Sequence, residues 1–284
     1  MSFINIFILA IIQGLTELLP VSSSAHVIVA EKLMGLDPAA PEMTFLLIML
    51  HTGTMFAEIL YFWNSWRTQF FASRQRFWES AKGLIAATMM TGVIGLTLKF
   101  VIEKVVLKDI PDAEIELIFG NLFYVSIALA SVGILIIIAG LKSQDRKIEI
   151  GLKESCWIGA IQGLCLPFRG FSRSGATIST GLLSGVEKTG AENFSFALAV
   201  ILTPPIIVKE VLRLLKVQPT ALADHIPWTN LFLPGLIGMG LSFIAGLLAL
   251  RWLSRWLEGG RWYFFGCYDL VASVVILFLH FQGL

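Results

Sequence analysis

Two polar stretches interrupt an otherwise apolar chain, and both carry side chains suited to handling a phosphate. The first is Gln13-x-x-x-Glu17 followed by Pro20-Val21-Ser22-Ser23-Ser24-Ala25-His26. The second is Leu166-Pro167-Phe168-Arg169-Gly170-Phe171-Ser172-Arg173-Ser174-Gly175-Ala176-Thr177. Gln13 and Glu17 are one helical turn apart and share a face. An ionisable side chain inside a membrane segment costs about 2.5–3.5 kcal/mol on insertion scales and is functional by default. Glu17 is therefore either part of a site, or a structural cap or pair near an interface. Ser22, Ser23 and Ser24 stand where a helix begins, and free backbone N–H groups at such a place bind anions. Serines there are equally ordinary N-caps. His26, three residues after Ser23, can face the same space, which suits it to acid–base work or phosphate contact more than to packing. His51, His225 and His280 have no such company.

In the second stretch, Ser172-Arg173-Ser174 again falls at a helix start. A guanidinium is always charged and its fork matches phosphate oxygens. Arg173 in the middle of a membrane needs an anionic partner, which is either a substrate phosphate or Glu17; an Arg–Glu pair would then tie the two stretches together. Thr177, one turn later, adds a hydroxyl. Arg169, nearer the edge of the break, is either a second clamp or an interfacial anchor. Glu58 and Glu210 lie within or at the end of apolar runs and rank below Glu17 as partners for a metal or a helix end.

The surrounding chain must place these groups. Its 284 residues are 56% apolar and 14% charged, with a mean hydropathy of +0.78. Soluble domains run about 45–50% apolar and about 25% charged. A single polytopic membrane domain over 1–284 is expected, because several runs are long enough for a hydrocarbon core of about 30 Å. The net charge of +1 and the lack of a basic stripe give no support for nucleic-acid binding. Cys156, Cys165 and Cys267 lack metal-ligand spacing and are expected as buried free thiols. The run 3–19 has no positively charged lead, the first lysine being Lys32, and is not expected to be a cleaved signal peptide.

The first run ends at Pro20 and a serine triplet, and a short piece from Ser23 to about Met34 follows; together they predict a broken, re-entrant hairpin. Irregular backbone at membrane depth persists only where protein or a water-filled cavity satisfies it. Spans are expected at Met43–Trp63, Gly83–Val101 and Ile115–Leu141. The pattern then restarts: a hairpin from Ser155 to about Val186, a span Phe194–Leu215 interrupted by Pro204-Pro205, and spans Leu231–Leu250 and Trp262–His280. Gln13-Gly14-Leu15 matches Gln162-Gly163-Leu164 and Ser22 matches Ser172, an offset of about 150 residues. The fold expected is thus all-α, with one repeat over about 1–141 and another over about 155–284. Three spans per half make the second copy inverted, an arrangement that places sites near the midplane between the repeats. The segments 64–82, 142–153 and 251–261 are basic, while 103–116 is acid-rich. Positive charge marks the cytoplasmic side, so both termini are expected outside, with the first hairpin entering from outside and the second from inside.

These motifs resemble those of the undecaprenyl-pyrophosphate phosphatase family of the bacitracin-resistance type, over nearly the whole chain. The resemblance implies a multi-pass enzyme of the plasma (inner) membrane, opening to the extracytoplasmic side. It would remove the terminal phosphate of a polyprenyl pyrophosphate lipid, recycling the carrier of cell-wall synthesis, and would require a divalent cation, Mg or Ca. It puts Glu17, Ser23, His26 and Arg173 in the catalytic centre and Ser22, Ser24, Ser172, Ser174, Thr177 and Arg169 around the substrate, with Glu17 and Gln13 at the metal. A homodimer is compatible with it. The chain departs from the family pattern at Gln13, where the first acid of Glu-x-x-x-Glu is neutral, at Arg169-Gly170, where Pro-Gly is usual, and at Ser24-Ala25-His26, where Thr-Gly-His is commoner. On this expectation Ser23 attacks phosphorus, Glu17 activates it directly or through the metal, His26 is the acid–base partner, and direct attack by water is the alternative. The rival expectation, from architecture alone, is a transporter that flips a polyprenyl phosphate.

Overall fold

The computed structural model describes residues 2–36, 41–106, 108, 121–142, 149–217 and 228–283. Every regular element among them is helical: α1 (Phe3–Leu18), α2 (Ser23–Leu33), α3 (Pro41–Gln69), α4 (Arg74–Val101) running into a π turn (Ile102–Val106), α5 (Leu122–Lys142), α6 (Leu152–Cys165), α7 (Arg173–Leu183), α8 (Lys188–Val217), α9 (Trp228–Glu258) and α10 (Trp262–Phe281). Helices α3, α4, α5, α8, α9 and α10 contain the six candidate membrane spans, and α1 is apolar but shorter. The chain is a multi-pass membrane protein.

Both breaks expected from sequence are present, and each has a local cause. Leu19 precedes Pro20 and is extended, with ψ 153°, because the proline ring disfavours helical backbone before it. Ser22 then turns the chain with φ 61° and ψ 94°. In the second hairpin, Gly170 takes φ +103°, and a Cβ there would run into the backbone of Val125 on α5. Helix α7 starts at the next cap, where Ser172 Oγ accepts the N–H of Gly175 at 3.3 Å. Each hairpin therefore ends one short helix and starts another at the depth where neighbouring helices supply polar partners.

Several boundaries differ from the hydropathy reading. The basic segment 64–82 shrinks to a turn, since Arg67 lies on α3, Ser73 caps α4 by accepting the N–H of Arg76 at 3.1 Å, and Arg74, Arg76 and Lys82 are helical. Arg251 and Arg255 likewise belong to α9, which leaves Gly259-Gly260-Arg261 as the turn. Helical hydrogen bonding continues past the apolar window because long basic side chains keep their stems on apolar surface and their charges in water. Pro204-Pro205 does not interrupt α8. The two rings remove backbone donors and crowd the carbonyls one turn back, Thr203 Oγ1 bonds to Ala199 O at 2.8 Å in the same turn, and prolines are tolerated in membrane helices where such local adjustments exist. Residues 115–120 of the third expected span, the acids Asp109, Asp112 and Glu114, the basic Arg146 and Lys147, and His225 lie outside the described residues.

The most extensive helix pairs are α5 with α10, α3 with α9, α4 with α6, and α1 with α9. The first helix of each hairpin thus leans on a long helix of the other half. Small residues allow it, as is usual where helices meet in lipid. Gly14 of α1 lies against Ser242 and Ala245 of α9, and Gly159 of α6 lies against the backbone of Ala87 of α4. Gly159→Ala is expected to lower the thermal unfolding temperature of the purified protein, since overpacking of this kind costs about 1–3 kcal/mol. Gly92→Ala on α4 meets nothing within 4 Å and is the control that leaves the melt unchanged.

Candidate active site

Glu17, at the end of α1, is the hub. Ser23 Oγ donates to Glu17 Oε2 at 2.5 Å, and Gln13 Nε2 donates to the same oxygen at 3.1 Å from one turn below. Arg173 Nη2, at the start of α7, reaches Glu17 Oε1 at 3.3 Å. The two sequence motifs therefore converge, with Glu17 as an anionic partner of Arg173. The Arg173 guanidinium carbon also lies 5.8 Å from the centroid of the Phe196 ring. Its Nη1 is buried and has no hydrogen-bond partner, so one side of the fork is held and the other carries uncommitted donors. The side chains of Glu17 and Arg173 keep 19% and 21% of their surface exposed, which leaves the pair accessible to a ligand.

Two further groups come from α3. His51 Nε2 lies 3.8 Å from Glu17 Oε2, although the sequence reading left this histidine without company. Its Nδ1 faces the carbonyl of Leu47 at 2.8 Å. A carbonyl only accepts, so that nitrogen carries the proton and Nε2 faces Glu17. Glu58 Oε1 lies 3.4 Å from Arg173 Nη2, and its side chain is only 3% exposed. Ranking Glu58 below Glu17 therefore overlooked a contact to the same arginine. A signal was present in the sequence: His51, Thr54 and Glu58 stand at helical spacing within an apolar run, one polar stripe on a membrane helix.

His26 is placed differently from expectation. Its Nδ1 donates to Ser22 O at 2.8 Å and its Nε2 accepts from Tyr268 OH of α10 at 2.7 Å, with the two rings stacked. Both ring nitrogens are engaged away from Ser23. Its effect on the site passes through Ser22, the one non-glycine with positive φ among the described residues. Such a backbone costs about 1–3 kcal/mol and persists where surrounding bonds over-determine it. By gripping the Ser22 carbonyl, His26 holds the turn that aims Ser23 at Glu17.

The remaining hydroxyls lock the hairpins together. Ser24 Oγ accepts the N–H of Gly170 at 3.3 Å, and Ser174 Oγ donates to Leu19 O at 3.1 Å. Ser22 Oγ and Ser24 Oγ lie 3.3 Å apart. Ser172 caps α7 and is buried, as is Ser174. Thr177 is fully buried, with Oγ1 bonded to Arg173 O at 2.8 Å and to Ser195 Oγ at 2.6 Å. It braces α7 against α8 through the bond to Ser195. The charge of Arg169 acts on Glu31 of α2. The cysteines are free, as expected, but Cys267 is exposed and Cys156 and Cys165 are half-buried, the last donating to Ile161 O at 3.2 Å.

Among the described residues no three His, Cys, Asp or Glu side chains are grouped to hold a metal by themselves. The carboxylate of Glu17 is a hard oxygen donor, and Gln13 keeps its amide oxygen free of the bond to Glu17. This set fits a Mg- or Ca-type ion that takes one or two carboxylates and fills its shell with substrate phosphates and water.

Six candidate membrane spans among the described residues, two broken hairpins and a serine–glutamate pair facing an arginine describe an integral membrane protein whose polar groups gather where the two hairpins meet. The family described as "Bacitracin resistance protein BacA" matches residues 6–275. The chain is 56% identical over 280 residues to "Undecaprenyl-diphosphatase 2" of Acinetobacter baylyi, covering 98% of each. It is 33% identical over 298 residues to "Undecaprenyl-diphosphatase 2" of Burkholderia thailandensis, covering 98% of this chain and 96% of the relative. It is 30% identical over 283 residues to "Undecaprenyl-diphosphatase" of Bacteroides fragilis, covering 98% of each. The chain belongs to the bacitracin resistance protein BacA family, as the resemblance of its motifs implied.

Proposed function

We propose that this protein is an enzyme that hydrolyses undecaprenyl diphosphate to the monophosphate and inorganic phosphate. The observation that carries the reading is Ser23 Oγ held 2.5 Å from Glu17 Oε2 with Arg173 on the other carboxylate oxygen. A hydroxyl poised against a carboxylate is a nucleophile with its base in place, and the likeness to relatives named as diphosphatases supports the substrate class. The lipid tail stays among the membrane helices while the diphosphate enters between the hairpins. Ser23 Oγ attacks the terminal phosphorus and its proton passes to Glu17. The bond from that phosphorus to the bridging oxygen breaks, and the lipid monophosphate leaves. Water then cleaves the phosphoserine and releases phosphate. The partly exposed guanidinium of Arg173 meets the equatorial oxygens, where charge is spread in phosphoryl transfer.

Two carboxylates, one guanidinium and an incoming diphosphate make a strongly anionic centre, which supports a divalent cation held by Glu17 with Gln13. Such an ion, when bound, neutralises phosphate charge. The proposal extends to a plasma (inner) membrane location with the site opening to the extracytoplasmic side, and to opposite insertion of the two halves. The reciprocal packing of α1 on α9 and α6 on α4 supports the inversion. Purified protein in detergent is expected to release one phosphate per undecaprenyl diphosphate. Recovery of the lipid with its diphosphate intact would refute the hydrolase reading.

A further inference from the structure

Arg173 makes its two carboxylate contacts through one nitrogen. Nη2 lies 3.3 Å from Glu17 Oε1 and 3.4 Å from Glu58 Oε1, while Nη1 has none. The two carboxylates are not equivalent. Glu17 is partly open and already accepts from Ser23 and Gln13. Glu58 is sealed in the protein, and Arg173 is the partner that the structure gives it. It comes from α3, whereas Glu17 comes from α1 and Arg173 from α7.

We propose that Glu58 is a positioning residue for phosphoryl transfer, a second anchor that fixes the partly open Arg173 guanidinium for the substrate. The proposal rests on the hydrolase reading. An arginine with Glu17 as its single anchor would settle fully onto that carboxylate, where a bidentate fork–fork pair is the favoured geometry. That would draw negative charge from the group that must take the proton of Ser23, and would turn the guanidinium away from the phosphate. A second carboxylate divides the pull on Nη2. It leaves Glu17 Oε2 to Ser23 and keeps Nη1 out of a second bond to Glu17. A sealed position suits the task, because a charge shielded from water holds its partner more firmly. Phe196, over whose face the guanidinium lies, restricts it in the remaining direction.

The test uses the full-length protein in detergent, with phosphate release from undecaprenyl diphosphate measured across substrate concentration. Wild-type turnover is the reference; its absence would refute the hydrolase reading and not this one. Glu58→Gln keeps shape and removes the charge, and kcat is expected to fall about 10–100-fold with KM changed less than threefold, since small misplacement of a donor aimed at developing charge costs about that much. Glu58→Asp keeps the charge and should recover part of the loss. Arg173→Lys and Glu58→Gln are expected to be non-additive, the double variant being no slower than Arg173→Lys alone within a factor of three. A role in folding alone would instead lower the melting temperature, leave the kcat of the folded fraction intact and show no such coupling. The proposal is overturned if folded Glu58→Gln keeps kcat within twofold, or if its loss multiplies with that of Arg173→Lys. Should Glu58→Gln not fold, the same criteria apply to Glu58→Asp, whose shortened carboxylate draws Arg173 back and must lower kcat at least threefold.

Discussion

Arg173→Ala is expected to abolish measurable phosphate release, a loss of about 10³–10⁵-fold if its donors do what arginines do in other phosphoryl-transfer sites. The same change should also destabilise the protein. Glu17 and Glu58 share the guanidinium, and removing it leaves two carboxylates facing each other at membrane depth. Breaking a buried ion pair from one side costs about 3–5 kcal/mol. The two effects separate in one experiment. Arg173→Ala combined with Glu58→Gln removes the stranded charge and should raise the melting temperature back towards wild type while activity stays lost. If the double variant regained turnover, Arg173 would be a structural counter-ion only.

Ser23→Ala and Glu17→Gln are expected to lower kcat by at least about 10³-fold and about 10²–10⁴-fold respectively, the second range being that of a positioned proton acceptor. Because the hydroxyl and the carboxylate work as a unit, the double variant should be little slower than Ser23→Ala alone. Rapid quenching of wild-type protein with substrate labelled in its terminal phosphate should trap label on the protein, and Ser23→Ala should trap none. Direct attack by water predicts the opposite: no label on either protein and substantial activity left in Ser23→Ala. Glu17→Gln preserves the shape of the side chain, so a retained fold with lost activity points to its charge and basicity. The 2.5 Å bond from Ser23 is the contact that this substitution weakens.

Much of this was legible because local features announced it. Pro20 and the serine triplet, and Gly170 with its neighbours, broke the apolar runs where the helices break. Glu17, Ser23 and Arg173 stood out as polar groups in short segments too interrupted to be plain spans. What stayed hidden depends on contacts across long stretches of chain. His26 was read with its sequence neighbours, yet its second partner is Tyr268 of α10, and nothing local to either residue forecasts that meeting. Thr177 stands one turn from Arg173, but its hydroxyl is taken by Ser195 of α8, a residue 18 positions further on. His51 and Glu58 sat in a span that reads as ordinary lipid-facing sequence. They enter the centre because α3 packs against α1, α8 and α9, and only their shared helical face hinted at it. Helix ends were read short wherever arginines followed an apolar run, since hydropathy marks the hydrocarbon boundary and not the end of the hydrogen-bonded spiral.

The way each hairpin leans on a helix from the opposite half bears on how the protein is made. Helix α1 leaves the ribosome well before its long-helix support, α9, has been made. Tyr268, which fixes His26 and through it the turn at Ser22, is translated later still. Ser23 and Glu17 are thus made before the helices that complete their surroundings. During insertion the N-terminal hairpin must wait in the membrane without its final neighbours, and a chain that stalls before α9 would hold Glu17 and Ser23 with no complete cleft around them. The surroundings of Glu17 and Ser23 are therefore complete only once α9 and α10 have been made.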